Sequence, residues 1–505
     1  MASKVYCAAI KICKKLGYDI DRRLENDTTY LHKAVLSNKK KLILELIRNK
    51  AEIEIQDING ETPLHYAAKH YNKDIVKILI DNGADINARN NDNNTPFHLA
   101  SGMSKVNKGI IELFLQHDAN VNVKGNKGFT PLHFAAKSNQ IWLAKQNTLT
   151  LIKHGANVNA QSDEDGTPLH LAVEKKNAEI VKILVENGAD VGARDNLDQT
   201  PLHLALSSLS SNDQNVPPSL VSNVESRNII QILINNNANV NDLAKEEGYS
   251  PLHEAIIIGD ENMVRYLIKI GADVNLKSQK NAETPLHLAT SYSSRLLLAR
   301  LKAHDSKRPL IYEETLKSRG NVIKMLIQNG ANIETLDGDG YTPLYKSSWA
   351  DDNCYAFKIL VQNGAQVNSL MKNGTPLMYR LLDRKKFDFA KILLNHGGDI
   401  EAIFEVSGNT ILMNAVKHHR YHKCWEVIKW LLENGANWNT RHINEGYTAM
   451  DLAIRLNLDD IVFLMICYGV SLKIPNSAGC NFIECALDLK KTKAFKAILV
   501  TQQMF

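Results

Sequence analysis

A four-residue motif, Thr-Pro-Leu-His, recurs along almost the whole of this 505-residue chain and constrains how it can fold. Intact copies lie at Thr62–His65, Thr130–His133, Thr167–His170, Thr200–His203 and Thr284–His287. Close variants stand at Thr29–His32, Thr95–His98, Ser250–His253, Thr342–Tyr345 and Thr375–Met378, and weaker ones at Thr410–Met413, Thr448–Asp451 and Asn481–Glu484. Several neighbours start 33 residues apart (62 − 29, 95 − 62). A chain of this length ordinarily divides into several globular domains. A short repeat instead grows in one dimension, each unit packing on its neighbours with no single large core.

The unit Asp57 to Ala88 shows the local physics. Thr62 is a helix N-cap, its hydroxyl accepting from a free first-turn amide. Pro63 fits the first helical position because it has no amide to leave unpaired. Leu64, Ala67 and Ala68 give a short helix with a small-residue face. A second helix is predicted from Asp74 to Asn82, with Ile75, Val76, Ile78, Leu79 and Ile80 at helical spacing. Gly83 ends it in a left-handed conformation. The segment from there to the next motif is expected to be an extended hairpin with Asp, Asn and Gly at its tip.

This unit resembles the ankyrin repeat, two antiparallel helices plus a β-turn in 33 residues with TPLHxA as signature. The resemblance spans roughly residues 3 to 500. A Gly-Ala-Asp-x-Asn element supports it at Gly83–Asn87 and Gly271–Asn275, and in altered form at Gly155–Asn159, Gly188–Gly192, Gly330–Glu334, Gly364–Asn368, Gly435–Asn439 and Asn237–Asn241. Asn237 suits a glycine slot because Asn tolerates left-handed dihedrals; Lys50 and Asp118 suit it less. The implied fold is an all-α repeat solenoid, helix-turn-helix units with β-hairpins stacked into a curved superhelix. The expected organisation is an N-terminal capping half-repeat over 1–28, repeats over 29–207, a loop insertion over 208–226 and repeats over 227–291. An insertion over 292–320, partly helical, precedes repeats over 321–505 that end in a degenerate cap.

Measured from the motif, both long insertions fall between the two helices of one repeat. In the second, Leu296, Leu297, Leu298 and Leu301 suggest that the first helix runs on until Pro309 breaks it. The hairpin segments lean acidic. The helix-to-helix turns lean basic, with Lys39-Lys40-Lys41, Arg384-Lys385-Lys386, Lys490-Lys491 and Arg420. Charge on solvated turns is the ordinary reading; a basic edge that meets an acidic partner or membrane surface is the sharper one.

The net charge of +5 is mild and does not argue for nucleic acid, and no membrane insertion is expected because no window holds 18 uninterrupted apolar residues. The N-terminal stretch, interrupted by Lys11, Lys14 and Lys15, is a poor signal peptide. The seven scattered cysteines make no disulfide framework. An intracellular protein is expected, cytoplasmic with the nucleus as alternative. There is no phosphate-binding loop, nucleophile elbow or zinc-protease helix, so no catalytic residue, cofactor, metal or small-molecule substrate is expected. Asp337-Gly338-Asp339-Gly340 reads as a turn. The motif histidines read as ties between hairpin base and helix. His418 and His422 could share a helical face, but Lys417, Arg420 and Lys423 oppose a cation and the segment reads as a basic turn between helices.

The family resemblance places binding on the concave side, at hairpin tips and the exposed ends of first helices. Its variable positions fall here on Lys69 and His70 with Glu61; on Lys137 and Ser138 with Phe129; on Ile257 and Ile258 with Tyr249; on Ser291 and Tyr292 with Glu283; and on Trp349 and Ala350 with Tyr341. Tyr249, Ile257, Ile258, Tyr292, Tyr341 and Trp349 form an apolar set over three consecutive repeats, about 20–30 Å at helix-layer spacing. That is the composition of an interface hot spot, with local packing as the plainer alternative. The implied function is a non-enzymatic scaffold or adaptor for a partner protein. A host-directed effector of a symbiont or virus would act by the same binding. A ubiquitin-ligase substrate receptor is less favoured, because the tail Ala494–Phe505 leaves no room for a ligase-binding module. The Asn of the glycine element, as at Asn87 or Asn275, resembles a hydroxylation site of other ankyrin proteins; a hairpin hydrogen bond is its plainer role.

Overall fold

The computed structural model describes residues 19–70, 72–102, 109–139, 141–209, 223–244, 247–291, 308–349, 354–422 and 424–469. The chain divides into two compact units, Met1–Ile258 and Gly259–Phe505. The described residues hold twenty-four α-helices, and each described motif opens the first helix of a pair. In the first unit the pairs are α1 (Tyr30–Leu36) with α2 (Lys40–Arg48), α3 (Pro63–Lys69) with α4 (Lys73–Asp81), α5 (Pro96–Gly102) with α6 (Ile110–Gln116), and α7 (Pro131–Ala136) with α8 (Ile141–Lys153). Next come α9 (Pro168–Glu174) with α10 (Ala178–Glu186), α11 (Pro201–Ser207) with α12 (Val224–Asn235), and α13 (Pro251–Ile258). The second unit begins with α14 (Glu261–Lys269) and continues with α15 (Pro285–Ser291), α16 (Arg308–Gln328), α17 (Pro343–Ser347), α18 (Tyr355–Gln362), α19 (Leu377–Asp383) and α20 (Phe387–Asn395). It ends with α21 (Ile411–His422), α22 (Trp425–Glu433), α23 (Ala449–Arg455) and α24 (Asp459–Cys467).

The motif chemistry is as expected. The Thr62 side chain accepts from the His65 amide, Pro63 occupies the first turn, and Leu64, Ala67 and Ala68 are buried between neighbouring first helices. Ile75, Val76 and Leu79 seal α4 against them. The helix ends are left-handed at Gly83 (φ +90°), and Lys50 (φ +65°), Asp118 (φ +63°) and Asn237 (φ +67°) adopt the same conformation without glycine's freedom.

The motif histidine ties one repeat to the next. His65 Nδ1 accepts from the Thr62 amide at 3.1 Å, so the proton sits on Nε2, which donates to the Asn94 carbonyl at 3.0 Å. Asn94 immediately precedes the next motif. His32 reaches Glu61 (3.0 Å), His133 reaches Gly166 (3.1 Å), His170 reaches Gln199 (3.2 Å) and His287 reaches Tyr341 (3.0 Å) in the same register. A second ladder runs through the glycine element. Asn159 donates to the Gly188 carbonyl at 3.0 Å and accepts from the Asp190 amide at 2.8 Å; Asn275 does the same with Gly330 and Asn332, at 2.9 and 2.7 Å. The role of this Asn is therefore to join repeats, not to close its own hairpin.

The hairpin expectation is replaced by tight turns. Among the described residues no strand forms, and the arms meet only in single bridges at Leu370–Pro376 and Ile403–Thr410. Each tip is a local turn, as where the Asp57 amide donates to the Glu61 carbonyl, and successive tips join by single backbone bonds such as Asn91 to Asn59 at 2.9 Å. The tips have too few paired residues for a ladder, because each arm spends its amides on the turn and on the neighbouring repeat.

The insertions also differ from expectation. Pro309 lies at the start of α16, in the first turn where proline is tolerated, and the segment 292–307 before it lies outside the described residues. The described part of the second insertion thus prolongs the second helix backwards. Arg319, on that extension, donates through Nε to the Ala289 carbonyl at 2.6 Å and also bonds Thr290, capping the end of α15. Gly320 allows Tyr355 of α18 to pack where a side chain would collide. The first insertion ends at Asn223 rather than Ser226, since α12 begins at Val224. The N-terminal half-repeat over Lys4–Leu16, the possible run-on of the first helix through Leu301, and the C-terminal cap lie outside the described residues.

Burial holds the motif histidines neutral. Desolvation lowers His65, His98 and His133 to about 4, against the backbone bonds that favour their charged form, and also lowers His32, His170, His203 and His287. Above about pH 6.5 the rings are neutral folded or unfolded, and this source of stability is complete. Below it the unfolded chain takes up protons that the folded chain refuses, so stability falls as pH drops towards 4. Thermal melting followed by circular dichroism is expected to show the melting temperature falling from pH 6.5 to 4.

Candidate functional site

The face made by turn tips and first-helix ends holds most of the positions expected to bind. In the first unit several already have internal work. Lys69 pairs with the buried Glu61 at 3.2 Å, and His70 beside it is exposed. Phe129 stacks on His133 (centroids 5.2 Å apart) with the Lys137 ammonium 5.7 Å over its ring. Tyr249 stacks on His253 at 5.7 Å. An aromatic residue just before the motif therefore lies against the motif's ring. Tyr249, Ile257 and Ile258 are each half-buried.

In the second unit Tyr341 and Trp349 come together; Tyr292 lies outside the described residues. Tyr341, Tyr345 and Trp349 form a three-ring cluster, with Tyr341–Tyr345 centroids at 4.6 Å and Trp349 edge-on to both at 5.5 and 5.7 Å. Tyr345 replaces the motif histidine and is buried, whereas Trp349 is 43% exposed. The Arg384 guanidinium lies 5.7 Å over the Trp349 ring and the Lys346 ammonium 5.8 Å. Arg380 donates to the Tyr345 hydroxyl at 3.4 Å and pairs with Asp383 at 3.2 Å.

Behind the rings is a buried charge triad. Lys346 meets Glu283 at 2.5 Å and Asp337 at 2.8 Å, all three enclosed. Burial opposes the Lys346 charge, but its bonds to Asp337 and Glu283 outweigh this and raise its pKa. Burial likewise opposes ionised Asp337, yet Lys346 and the Tyr341 amide hold it below the usual carboxylate range. Asp337 also accepts from the Asp339 and Tyr341 amides at 3.0 and 2.8 Å, so this acidic turn is built around a lysine.

One repeat further lies a groove that the motif positions did not mark. It has a volume of about 390 Å³ between the tips at Asn373 and Val406 and the helices α19 and α21. Tyr379 and Phe404 meet edge to face in it, centroids 4.8 Å apart, and Lys417 and His418 border it. Burial, then the nearby Asp383 charge, pushes the Tyr379 hydroxyl up to about 12. A sequence signal existed: Val406 is an aliphatic residue within an otherwise polar turn, and it is 86% exposed.

Models of ankyrin repeats (3 copies) match residues 2–90, 88–162, 219–309, 350–442 and 383–476, and a model of ankyrin repeats (many copies) matches 151–205. The chain belongs to the ankyrin-repeat family. Comparison with curated proteins found no match. Ankyrin repeats are protein–protein interaction modules, and no described helix of this ankyrin-repeat protein is long and apolar enough to cross a membrane.

His418 does not lie in a turn, as expected, but within the helix α21, which runs on to His422. Packing explains the extra length: the neighbouring His419 is buried and its Nε2 lies 3.0 Å from an Asp460 carboxylate oxygen of α24. Among the described residues no group of three or more His, Cys, Asp or Glu side chains is placed to hold a metal. The basic turns of this ankyrin stack are in part consumed by pairing across repeats, as Lys385 with Glu426 (2.7 Å) and Lys40 with Asp74.

Lys346→Ala should destabilise the second unit by about 3–5 kcal/mol, because it leaves two buried carboxylates without their cation. Chemical denaturation of the wild type and the variant at pH 7 measures this directly.

Proposed function

We propose that this ankyrin-repeat protein is a non-enzymatic scaffold or adaptor that binds a partner protein on the face of turn tips and first-helix ends. The observation that supports the reading most is the Tyr341–Tyr345–Trp349 cluster. An indole 43% exposed is held edge-on by two tyrosines and flanked by Arg384, so little conformational freedom is lost when a partner covers it. Trp, Tyr and Arg are also the residue types that dominate binding energy at protein interfaces. The buried Lys346 triad fixes the tip carrying Tyr341 to the helix that leads into the turn at Trp349, which makes the anchor a rigid platform. Tyr249, Ile257 and Ile258 supply a second apolar set on the first unit.

The test is the double variant Trp349→Ala with Tyr341→Ala. Proximity labelling in native cells identifies partners, and titration calorimetry with each purified partner then compares the two proteins. Affinity for the anchored partner is expected to fall at least tenfold, about 1.4 kcal/mol, with an unchanged circular dichroism spectrum. Unchanged affinity for every partner would remove the assignment.

A further inference from the structure

A motif histidine cannot take a second proton where it stands. Its Nδ1 accepts from the amide that opens its own motif, at 3.1 Å in His32, His65, His98 and His133, 3.2 Å in His170 and 3.3 Å in His203. Its Nε2 proton is already given to backbone carbonyls of the next repeat. A proton on Nδ1 would face an N–H group. Protonation therefore breaks the helix cap and frees the ring from its place between repeats.

These rings are unevenly shared. All six belong to the first unit, where His253 also accepts from the Ser250 amide at 3.2 Å. In the second unit the described motifs keep the histidine only at His287. Tyr345, Met378 and Met413 take its place in the next three, side chains with no proton to gain, and Asp451 follows them. Two other histidines of the second unit are buried. His442 is tied at a turn tip, its Nδ1 accepting from the Asn444 and Glu445 amides at 3.3 and 3.0 Å and its Nε2 donating to the Ser407 carbonyl at 2.7 Å. His419 faces the Asp460 carboxylate at 3.0 Å, where a proton meets a negative charge.

The charges around the six rings do not supply such a partner. Asp57 faces His32 and His65, Asp190 and Asp195 face His170, and Asp242 faces His203, with Arg23, Lys69, Arg89, Lys124 and Arg194 standing against them. Neighbouring rings also oppose one another's charge, as His32 with His65 and His133 with His170. Burial outweighs the carboxylates at every ring. Two carboxyls of the first unit work the other way: burial raises Glu54 and pushes Glu254 up to about 8, so both favour the folded chain as pH falls. They are two against six.

We infer that the first unit is an acid-sensitive module: as pH falls below about 6.5 its repeats open, while the second unit from α17 to α20 keeps its packing. A repeat stack is held by contacts between neighbours, so one stretch can open without another. The Tyr341, Tyr345 and Trp349 cluster stands in the stretch that keeps its fold.

Hydrogen exchange of the full chain, read by mass spectrometry from about pH 7 to about pH 4.5 and corrected for the intrinsic rate at each pH, tests this. Protection of α3, α7 and α9 is expected to fall about tenfold for each pH unit below 6.5, one proton being taken up per freed ring, whereas α18 and α20 change by about twofold. His133→Gln removes one such uptake. Its protection in α7 is expected to be lower at pH 7 but to lose most of its dependence on pH. Should that variant not fold, His32→Gln repeats the measurement at α1. Equal pH dependence in the two units, earlier opening of α18 and α20, or a pH dependence unmoved by the glutamine would overturn the proposal.

Discussion

The structure depends on one hydrogen bond used again and again: a buried, neutral histidine whose Nε2 proton goes to the carbonyl just before the next motif. His65 to Asn94 is the pattern, and His32, His133, His170 and His287 repeat it. The bond does two things at once. Through Nδ1 it completes the N-terminal cap of its own helix, and through Nε2 it fixes the next repeat's entry into its first helix. A unit with only two short helices cannot bury its apolar face alone, so this register bond and the Asn ladder set how neighbours meet.

Where the histidine is lost, the second unit finds other solutions, and the candidate sites lie among them. Tyr345 occupies the ring position without the proton relay and instead joins Tyr341 and Trp349. Asp451 restores the cap alone, accepting from the Thr448 amide at 2.8 Å. Met378 and Met413 offer neither bond. The groove with Tyr379 and Phe404 opens between those two repeats, where a half-buried ring pair and exposed Val406 stand in place of a polar tie. Weaker repetition thus coincides with the chemistry most suited to a partner, as expected when local rules are broken at functional positions.

Much of this was legible in the chain. Thr62, Pro63 and Gly83 define a helix start and a helix end by backbone chemistry that does not depend on surroundings. Other features were not legible because the same residue serves two structures. Pro309 can end one helix or begin another, and the helix it begins is seen only in the structure, where Arg319 and Gly320 pack it on neighbouring helices. Lys417 to His422 reads as a charged turn until His419 is seen buried against Asp460. Asp337 and Asp339 read as a turn, and the sequence does not show that Lys346, from the helix that follows, is buried against Asp337.

By itself the sequence determined the repeat, the helix pairs, the family and the face on which side chains vary, because these follow from local capping and apolar spacing. The tertiary structure decided which of the varied residues are spent internally and which face outward. Lys69 is tied to Glu61 and Tyr249 to His253, while Trp349 and Val406 stand out at the surface. The physical reason is that partners for these side chains come from adjacent repeats, at separations in sequence that no local pattern encodes.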